Sequence, residues 1–327
     1  LWRNSGHSEK YNDNMFHLSH NNLSVKPMSC PFHINIFNDI VHSYKVLPFR
    51  ISEFGLCHRN EPSGALNGLF RLRAFNQDDG HIFCRERQIK SELKHYCQML
   101  YEVYKFFGFN KDQIKVKVSL RPDNKLGSDE LWDRSEMLLQ EGLADQAIVF
   151  ELVKGEGAFY GAKIEFVLQD SLGRDWQCGT FQLDFFLAKK FDCSFKNEAG
   201  EKEHPVILHR AVLGSLERFV AVLLEHYGGR LPASFNPYSI VLLPVAKEHV
   251  GYCRRLQSQL REAHISCFID DSNNSIGYRV RDAFKKKCNY SVVIGDKEVS
   301  SNQLNLRYKR TNTSVHSSDL NGFLLNH

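Results

Sequence analysis

The chain changes rhythm at residues 228–237, GGRLPASFNP, where glycine and proline cluster. Such a cluster interrupts helices and strands and marks a boundary. Before it, residues 148–186 contain IVFELVK, AKIEFVLQD and WQCGTFQLDFF, separated by the turn-like GEGAFYG and DSLGRD. These runs alternate in polarity or concentrate β-branched and aromatic side chains, which predicts antiparallel strands. After the boundary, SIVLLPV, EHVGYCRRLQSQLREA, HISCFID, GYRVRDAFKKK and YSVVIGD read as strand, helix, strand, helix, strand. Strands alternating with helices predict parallel pairing in a small α/β domain. With 327 residues there is material for two cores. Together the rhythms predict an α+β domain over residues 1–232, with a mainly antiparallel sheet flanked by helices, followed by a smaller α/β domain over residues 235–327.

Within the first domain, residues 84–107 have helical spacing of apolar side chains, stopped by Gly108. Residues 127–141 read as a second helix with Ser128 as its N-cap. Residues 192–202 are polar and read as a loop, and residues 209–226 read as a long helix ending at Gly228 and Gly229. Hydrophobic content of 42% and charged content of 24% are ordinary for a globular protein. No apolar run is long enough to span a bilayer. The opening LWRNSGHSEKYNDNMF lacks the basic start and apolar centre of a signal peptide and reads as the middle of a longer chain. Nine cysteines, an odd number with no CxxC pair, favour a reducing compartment over a disulfide framework. A net charge of +4 permits a nucleic-acid partner without demanding one, because a footprint needs clustered charge.

Chemistry concentrates in residues 54–81, FGLCHRNEPSGALNGLFRLRAFNQDDGH. Arg59, Arg71 and Arg73, with Glu61, Asp78 and Asp79, fall on a strand, a glycine-punctuated loop and a returning strand. Such a hairpin offers fixed cations to a polyanion and carboxylates to an amine or amide donor. Cys30, His81 and His209 sit on three distant segments, and one Cys with two His suits a catalytic Zn2+ with an open position. Taken alone, a buried free cysteine and surface histidines are the commoner reading. Equally, Asp78 and Asp79 alone read as a solvated turn, and Arg59 and Arg218 alone serve as well in salt bridges. The GEGAFYG segment is no phosphate loop, and no GxxxxGK stretch occurs anywhere in the chain.

The hairpin, together with KPMSCPFH, QDDGH and the HRAVLGSLER stretch, resembles the threonyl-tRNA synthetases, a family of class II aminoacyl-tRNA synthetases. The resemblance covers essentially the whole chain. It implies that Cys30, His81 and His209 hold one Zn2+ and that Gln77, Asp79 and Gln182 contact L-threonine. It implies that Arg59 binds the α-phosphate of ATP, Glu61 accepts from the adenine amino group, Phe75 stacks on the ring, and Arg71 and Arg218 hold the outer phosphates. ATP would arrive with Mg2+. Lys163 is placed against the substrates, and His7 and Tyr160 near the ribose of the tRNA 3′ end. Phe32 and Ser29 stand where the family has Gly and Asn, beside a metal ligand.

Pro48 resembles the proline at the class II dimer interface, which implies a homodimer. The phrase IGDKE at 294–298 resembles the family's anticodon-binding domain, which implies that Asn273, Glu298 and Arg307 contact anticodon bases of tRNA(Thr). Lys285 to Lys287, with Lys309 and Arg310, would add phosphate-binding charge. The family's N-terminal editing region has no counterpart in these residues. The implied activity is threonine–tRNA ligase in the cytoplasm or an organellar matrix, with no membrane association. Two other readings remain: a class II paralogue charging a different acceptor, and a catalytically inactive synthetase-like RNA-binding regulator. Retention of Arg59, Glu61, Phe75 and Arg218 argues against the regulator, which has no need of an adenylate pocket.

Overall fold

The computed structural model describes residues 1–18, 23–308 and 311–325, so Lys309 and Arg310 lie outside the described residues. The chain forms two compact units, Leu1–Val222 and Leu223–His327. The first runs through α1 (His7–Lys10), α2 (Cys30–Ile40), β1 (Phe49–His58), β2 (Ala74–Cys84), α3 (Ile89–Phe106), β3 (Ile114–Ser119) and α4 (Asp129–Ala144). It continues with β4 (Glu151–Val153), β5 (Lys163–Gln169), β6 (Asp175–Asp184), α5 (Leu187–Lys190), β7 (Phe195–Lys196), β8 (Lys202–Glu203) and β9 (Val206–Ala211), and α6 (Leu216–His226) follows. Seven of these strands form one sheet in the order β1-β2-β9-β6-β5-β3-β4.

Both faces of this sheet are covered, which explains its apolar strands. On one face α3 lays Leu93, Tyr96 and Leu100 against the sheet, with Tyr96 ring centroids 5.7 Å from Phe166 and 5.1 Å from Phe181. The Tyr96 and Tyr104 hydroxyls donate to the carbonyls of Ala211 and Val212, each at 2.8 Å, and so pin the chain leaving β9. On the other face α2 stacks Phe37 on Phe83 of β2, with centroids 4.4 Å apart. Burying an aromatic side chain of this kind contributes roughly 1.5–3 kcal/mol. The contact also sets the first turn of α2 over the part of β2 that carries His81.

Of the helices expected over 84–107 and 127–141, the first forms as α3 but starts only at Ile89, since Cys84 still belongs to β2, and the second forms as α4, where the Ser128 hydroxyl accepts from the Leu131 amide. Three further expectations are corrected. Residues 206–211 are a strand, and the helix begins only at Leu216. The segment VILHRA lies between β2 and β6 with nearly every residue buried, so it has no alternation by which periodicity could tell strand from helix. Gly214 makes the break, at a φ of +70° and with the Cys178 carbonyl 2.6 Å from where a Cβ would stand. Second, β4 pairs parallel to β3, because α4 intervenes and carries the chain back to the same end. Third, the segment 192–202, expected as a loop, contains β7 and the first residue of β8, which pair as a separate two-stranded ribbon. Strand β3 was not anticipated.

The second unit contains β10 (Ile240–Pro244), α7 (Val250–Glu262), β11 (Cys267–Ile269), α8 (Ile276–Lys285), β12 (Tyr290–Ile294), α9 (Asp296–Ser301), β13 (Gln303–Tyr308), β14 (Thr311–His316) and α10 (Leu320–Leu325). Its sheet order is β11-β10-β12-β13-β14, with β10 parallel to both neighbours as the alternating rhythm predicts. The antiparallel β13–β14 hairpin extends it. Ile240, Leu242 and Val292 pack with Leu256 and Leu260 of α7, while Val241 and Leu243 pack with Ala283 and Cys288 beside α8.

Backbones approach closely at Gly161, where an added Cβ would sit 2.0 Å from the Leu183 carbonyl oxygen of β6. Gly161→Ala should therefore cost about 1–3 kcal/mol, as overpacking does. Urea denaturation checks this, and an unchanged midpoint would contradict the approach.

Candidate functional site

The site is organised by strand register. Ile51, His81, His209, Gln182, Lys163 and Ser119 are successive cross-strand partners on β1, β2, β9, β6, β5 and β3. On β2 the alternation of a strand puts Phe75, Gln77, Asp79 and His81 on one face. That face opens into a cavity of about 310 Å³. Its lining includes Cys30, Arg59, Glu61, Arg71, Phe75, Gln77, Asp79, Tyr160, Lys163, Gln182, His209 and Arg218. His81 is fully buried beneath it.

At one end, the ligand atoms of Cys30, His81 and His209 all lie within 4.8 Å of one another. His81 Nε2 is 3.0 Å from His209 Nδ1, and His209 Nε2 is 3.0 Å from Asp184 Oδ2. Burial pushes the Cys30 thiol well above its ordinary value and drives the His81 imidazole well below its own. The set is thus one sulfur and two nitrogens held out of water, with one imidazole oriented by a carboxylate. Those are the donors and the outer support of a zinc centre, in which tetrahedral ligands stand roughly 3.3–3.6 Å apart. The residues present fit such an ion. Asp79 sits alongside, accepting from the Ser29 amide at 3.3 Å, and burial raises its carboxyl. Gln182 donates to the Gly161 carbonyl at 3.4 Å.

The other end is cationic. Arg59 donates to the Pro27 carbonyl and covers the Phe75 ring at 5.1 Å. Arg218, at the start of α6, donates to the carbonyls of Phe70 and Gln177 and lies over Trp176 at 5.7 Å. Among the described residues neither guanidinium has a carboxylate within ion-pair distance, and burial lowers the Arg218 pKa. Arg71 and Glu61 pair with each other at 2.8 Å, and Lys163 pairs with Glu165 at 2.5 Å. A cavity holding more guanidinium than carboxylate raises the local concentration of polyanions.

The remaining candidates lie elsewhere. His7 does not line the cavity; it is buried behind Tyr160, with ring centroids 6.2 Å apart, and its Nδ1 is 2.7 Å from the Ser5 hydroxyl. Asp78 takes a structural part, accepting the amides of Val212 and Leu213. In the second unit, Asn273 is exposed in the loop after β11, and Glu298 on α9 accepts the Gly295 amide at 3.0 Å. Arg307 lies on β13 opposite Ser291, on the exposed face of that strand. Phe32 turns outward, half-exposed and edge-on to Trp2 at 6.0 Å.

Sequence reasoning missed His33 and Asp184. His33 follows Cys30 by three residues in α2 and so shares its helix face, a signal open to inspection. Asp184 follows Gln182 by two on β6 and shares its strand face, which is equally legible.

Residues 16–227 match the family described as tRNA synthetase class II core domain (G, H, P, S and T), and residues 239–325 match an anticodon binding domain. The chain is 46% identical over 309 residues to the threonine–tRNA ligase of Dichelobacter nodosus, covering 94% of this chain and 48% of that protein. It is 45% identical over 315 residues to that of Ehrlichia canis, covering 96% and 49%. It spans about half the length of the curated relatives it matches. Among solved structures it resembles the RNA binding domain of threonyl-tRNA synthetase from Cryptosporidium parvum, with a TM-score of 0.91, 36% identity, and coverage of 99% of this chain and 82% of that one. A putative threonyl-tRNA synthetase from Aeropyrum pernix follows, with a TM-score of 0.81, 30% identity, and coverage of 99% and 78%.

Burial, reinforced by the nearby His209, lowers the His7 imidazole to about 4. A folded-state value below the unfolded one means that stability is present above about 6.5 and is lost as pH falls through 4. Between pH 7 and pH 5 the protein should lose about 2 kcal/mol that a His7→Asn variant retains. Denaturation midpoints at the two pH values check this, and equal pH dependence in both proteins would contradict it.

Proposed function

The chain belongs to the threonyl-tRNA synthetases, a branch of the class II tRNA synthetases, and on that premise we propose that it activates L-threonine with ATP and transfers it to the 3′ end of tRNA(Thr). One juxtaposition supports this most: Cys30 and His209, with His81 buried directly beneath them, and the Asp79 carboxylate share one cavity with the unpaired guanidiniums of Arg59 and Arg218. An amino acid held at the first end presents its carboxylate to a nucleotide held at the second.

Cys30 Sγ, His81 Nε2 and His209 Nδ1 would hold Zn2+. When bound, the ion supplies Lewis-acid positions for the amino group and side-chain hydroxyl of threonine, a demand valine cannot meet, whereas an apolar pocket alone separates such near-isosteres by only about 100-fold. Asp79, fixed by the Ser29 amide, pairs with the ammonium group, and Gln77 and Gln182 add polar contacts. Arg59 stabilises the charge that develops on the α-phosphate as the threonine carboxylate attacks and pyrophosphate leaves. Arg71 and Arg218 hold the outer phosphates of ATP, which enters with Mg2+. Glu61 accepts from the adenine amino group, Phe75 stacks on the ring, and Lys163 contacts the substrates. In the second step a ribose hydroxyl of the tRNA attacks the acyl carbon and AMP leaves. Tyr160 serves that step from the cavity wall, and His7 serves it from behind Tyr160.

Asn273, Glu298 and Arg307 contact the unpaired bases of the anticodon, whose exposed edges suit polar side chains. The compact units divide within α6, between Val222 and Leu223, and the proposed domain boundary is the glycine- and proline-rich segment that follows this helix after residue 228. Phe54 and Leu56 of the edge strand β1 are exposed, an apolar pair on an open sheet edge suited to a second copy in a homodimer. All nine cysteines are free, which supports a reducing compartment, the cytoplasm or an organellar matrix. No helix of the described residues is long and apolar enough to cross a membrane.

Amino-acid-dependent ATP–pyrophosphate exchange tests the function. Exchange should occur with threonine, weakly with serine and not with valine or proline, and zinc chelation should abolish it. Absence of exchange with any amino acid in folded, zinc-loaded protein would overturn the proposal. Arg59→Ala should lower exchange by about 10²–10³-fold, as loss of a group that stabilises transition-state charge does. Its circular dichroism should be unchanged, and wild-type exchange would refute the role.

A further inference from the structure

Three histidines and two carboxylates lie end to end beneath the cavity. Asp184 Oδ2 is 3.0 Å from His209 Nε2, and His209 Nδ1 is 3.0 Å from His81 Nε2. His81 Nδ1 is 2.7 Å from His33 Nδ1, and His33 Nε2 is 3.7 Å from Glu53 Oε1. All three rings are buried, so water does not average these contacts. Lys26 fixes the far end, with its ammonium 3.2 Å from Glu53. Neither His33 nor Glu53 lines the cavity.

A neutral imidazole carries one proton on one of its two nitrogens, so such a chain has a direction. Asp184 Oδ1 already accepts the amides of Phe186 and Leu187, and its Oδ2 takes the His209 Nε2–H, which leaves His209 Nδ1 as a lone pair. In the metal-free chain His81 donates Nε2–H to that lone pair. Its Nδ1 then accepts from His33 Nδ1–H, and the bare Nε2 of His33 faces the Glu53 carboxylate, acceptor against acceptor. Coordination through His81 Nε2 requires the opposite tautomer. His81 then donates Nδ1–H to His33 Nδ1, and the His33 proton sits on Nε2, facing Glu53. The three rings hold the same number of protons in both arrangements, and the proton released on metal binding is that of the Cys30 thiol. Asp79 Oδ1, 3.9 Å from His81 Nδ1, adds a charge that favours a proton there.

Resting on the zinc centre proposed above, we infer that His33, backed by Glu53, is a positioning residue that selects the zinc-binding tautomer of His81. Its requirement is an acceptor at the position of His33 Nδ1, and hydrogen-bond partners that orient a ligating imidazole in this way change metal affinity by about 10–100-fold.

The test titrates zinc alone into the metal-stripped chain against a chromophoric chelator. His33→Gln retains a carbonyl that can accept the His81 proton, whereas His33→Leu removes the acceptor at similar volume. The Leu variant should bind zinc about 10–100-fold more weakly than wild type. The Gln variant should recover most of that loss. A Leu variant equal to wild type would overturn the inference, as would a Gln variant as weak as Leu, since packing alone would then explain the effect. Imidazole ¹⁵N shifts of the wild-type chain provide a readout independent of either variant's folding: zinc should move the His33 proton from Nδ1 to Nε2. A His33 proton that stays on Nδ1 in the loaded protein also overturns the inference. If the wild-type chain binds no zinc at all, the metal reading itself fails and this inference falls with it; wild-type binding with an unaffected Leu variant removes the inference alone.

Discussion

The site depends on one constraint, the antiparallel register that aligns β1, β2, β9, β6 and β5. A slip of one residue in β9 would turn His209 to the face covered by α3 and bring Leu208 or Arg210 into its place. The register is held from both faces. Tyr96 and Tyr104 of α3 fix the carbonyls of Ala211 and Val212, and Phe37 of α2 stacks on Phe83 two residues beyond His81. The second contact also delivers Cys30 and His33 to the row, because both lie in the first turns of α2. Packing far from the chemistry therefore determines which donors meet.

Burial then sets the electrostatic problem that the site must solve. The Cys30 thiol and the His81 imidazole, removed from water, are driven toward their neutral forms, and only a cation beside them restores the charged thiolate. The chain surrounds this cluster with carboxylates at its ends, Asp184 on one side and Glu53 and Asp79 on the other. Across the cavity the sign reverses. Arg59 and Arg218 are held by carbonyl oxygens rather than by acids, so their charge remains available to an incoming phosphate. The two ends thus suit an amine and a polyphosphate respectively.

Part of this organisation is legible in the sequence. Phe75, Gln77, Asp79 and His81 stand at every second position, the spacing that places side chains on one face of a strand. The strand–helix rhythm after residue 240 likewise announces its parallel core. Strand β9 was not legible, because a central strand buried on both faces has the same apolar run as a helix. Nor was the meeting of His81 with His209 visible from spacing, since they are 128 residues apart and only the register joins them. Motif resemblance supplied that pair. His33 and Asp184, which orient the donors, stood one helical turn and one strand repeat from residues already singled out.

If Cys30, His81 and His209 form a zinc centre whose remaining positions take threonine, the metal itself must report both facts. X-ray absorption at the zinc edge of the loaded chain, with and without threonine, reads them together. The threonine-free shell should contain one sulfur and two imidazole nitrogens, with light-atom ligands replaced or added when threonine binds and unchanged by valine. A shell without sulfur, or one indifferent to threonine, would contradict the zinc centre as drawn.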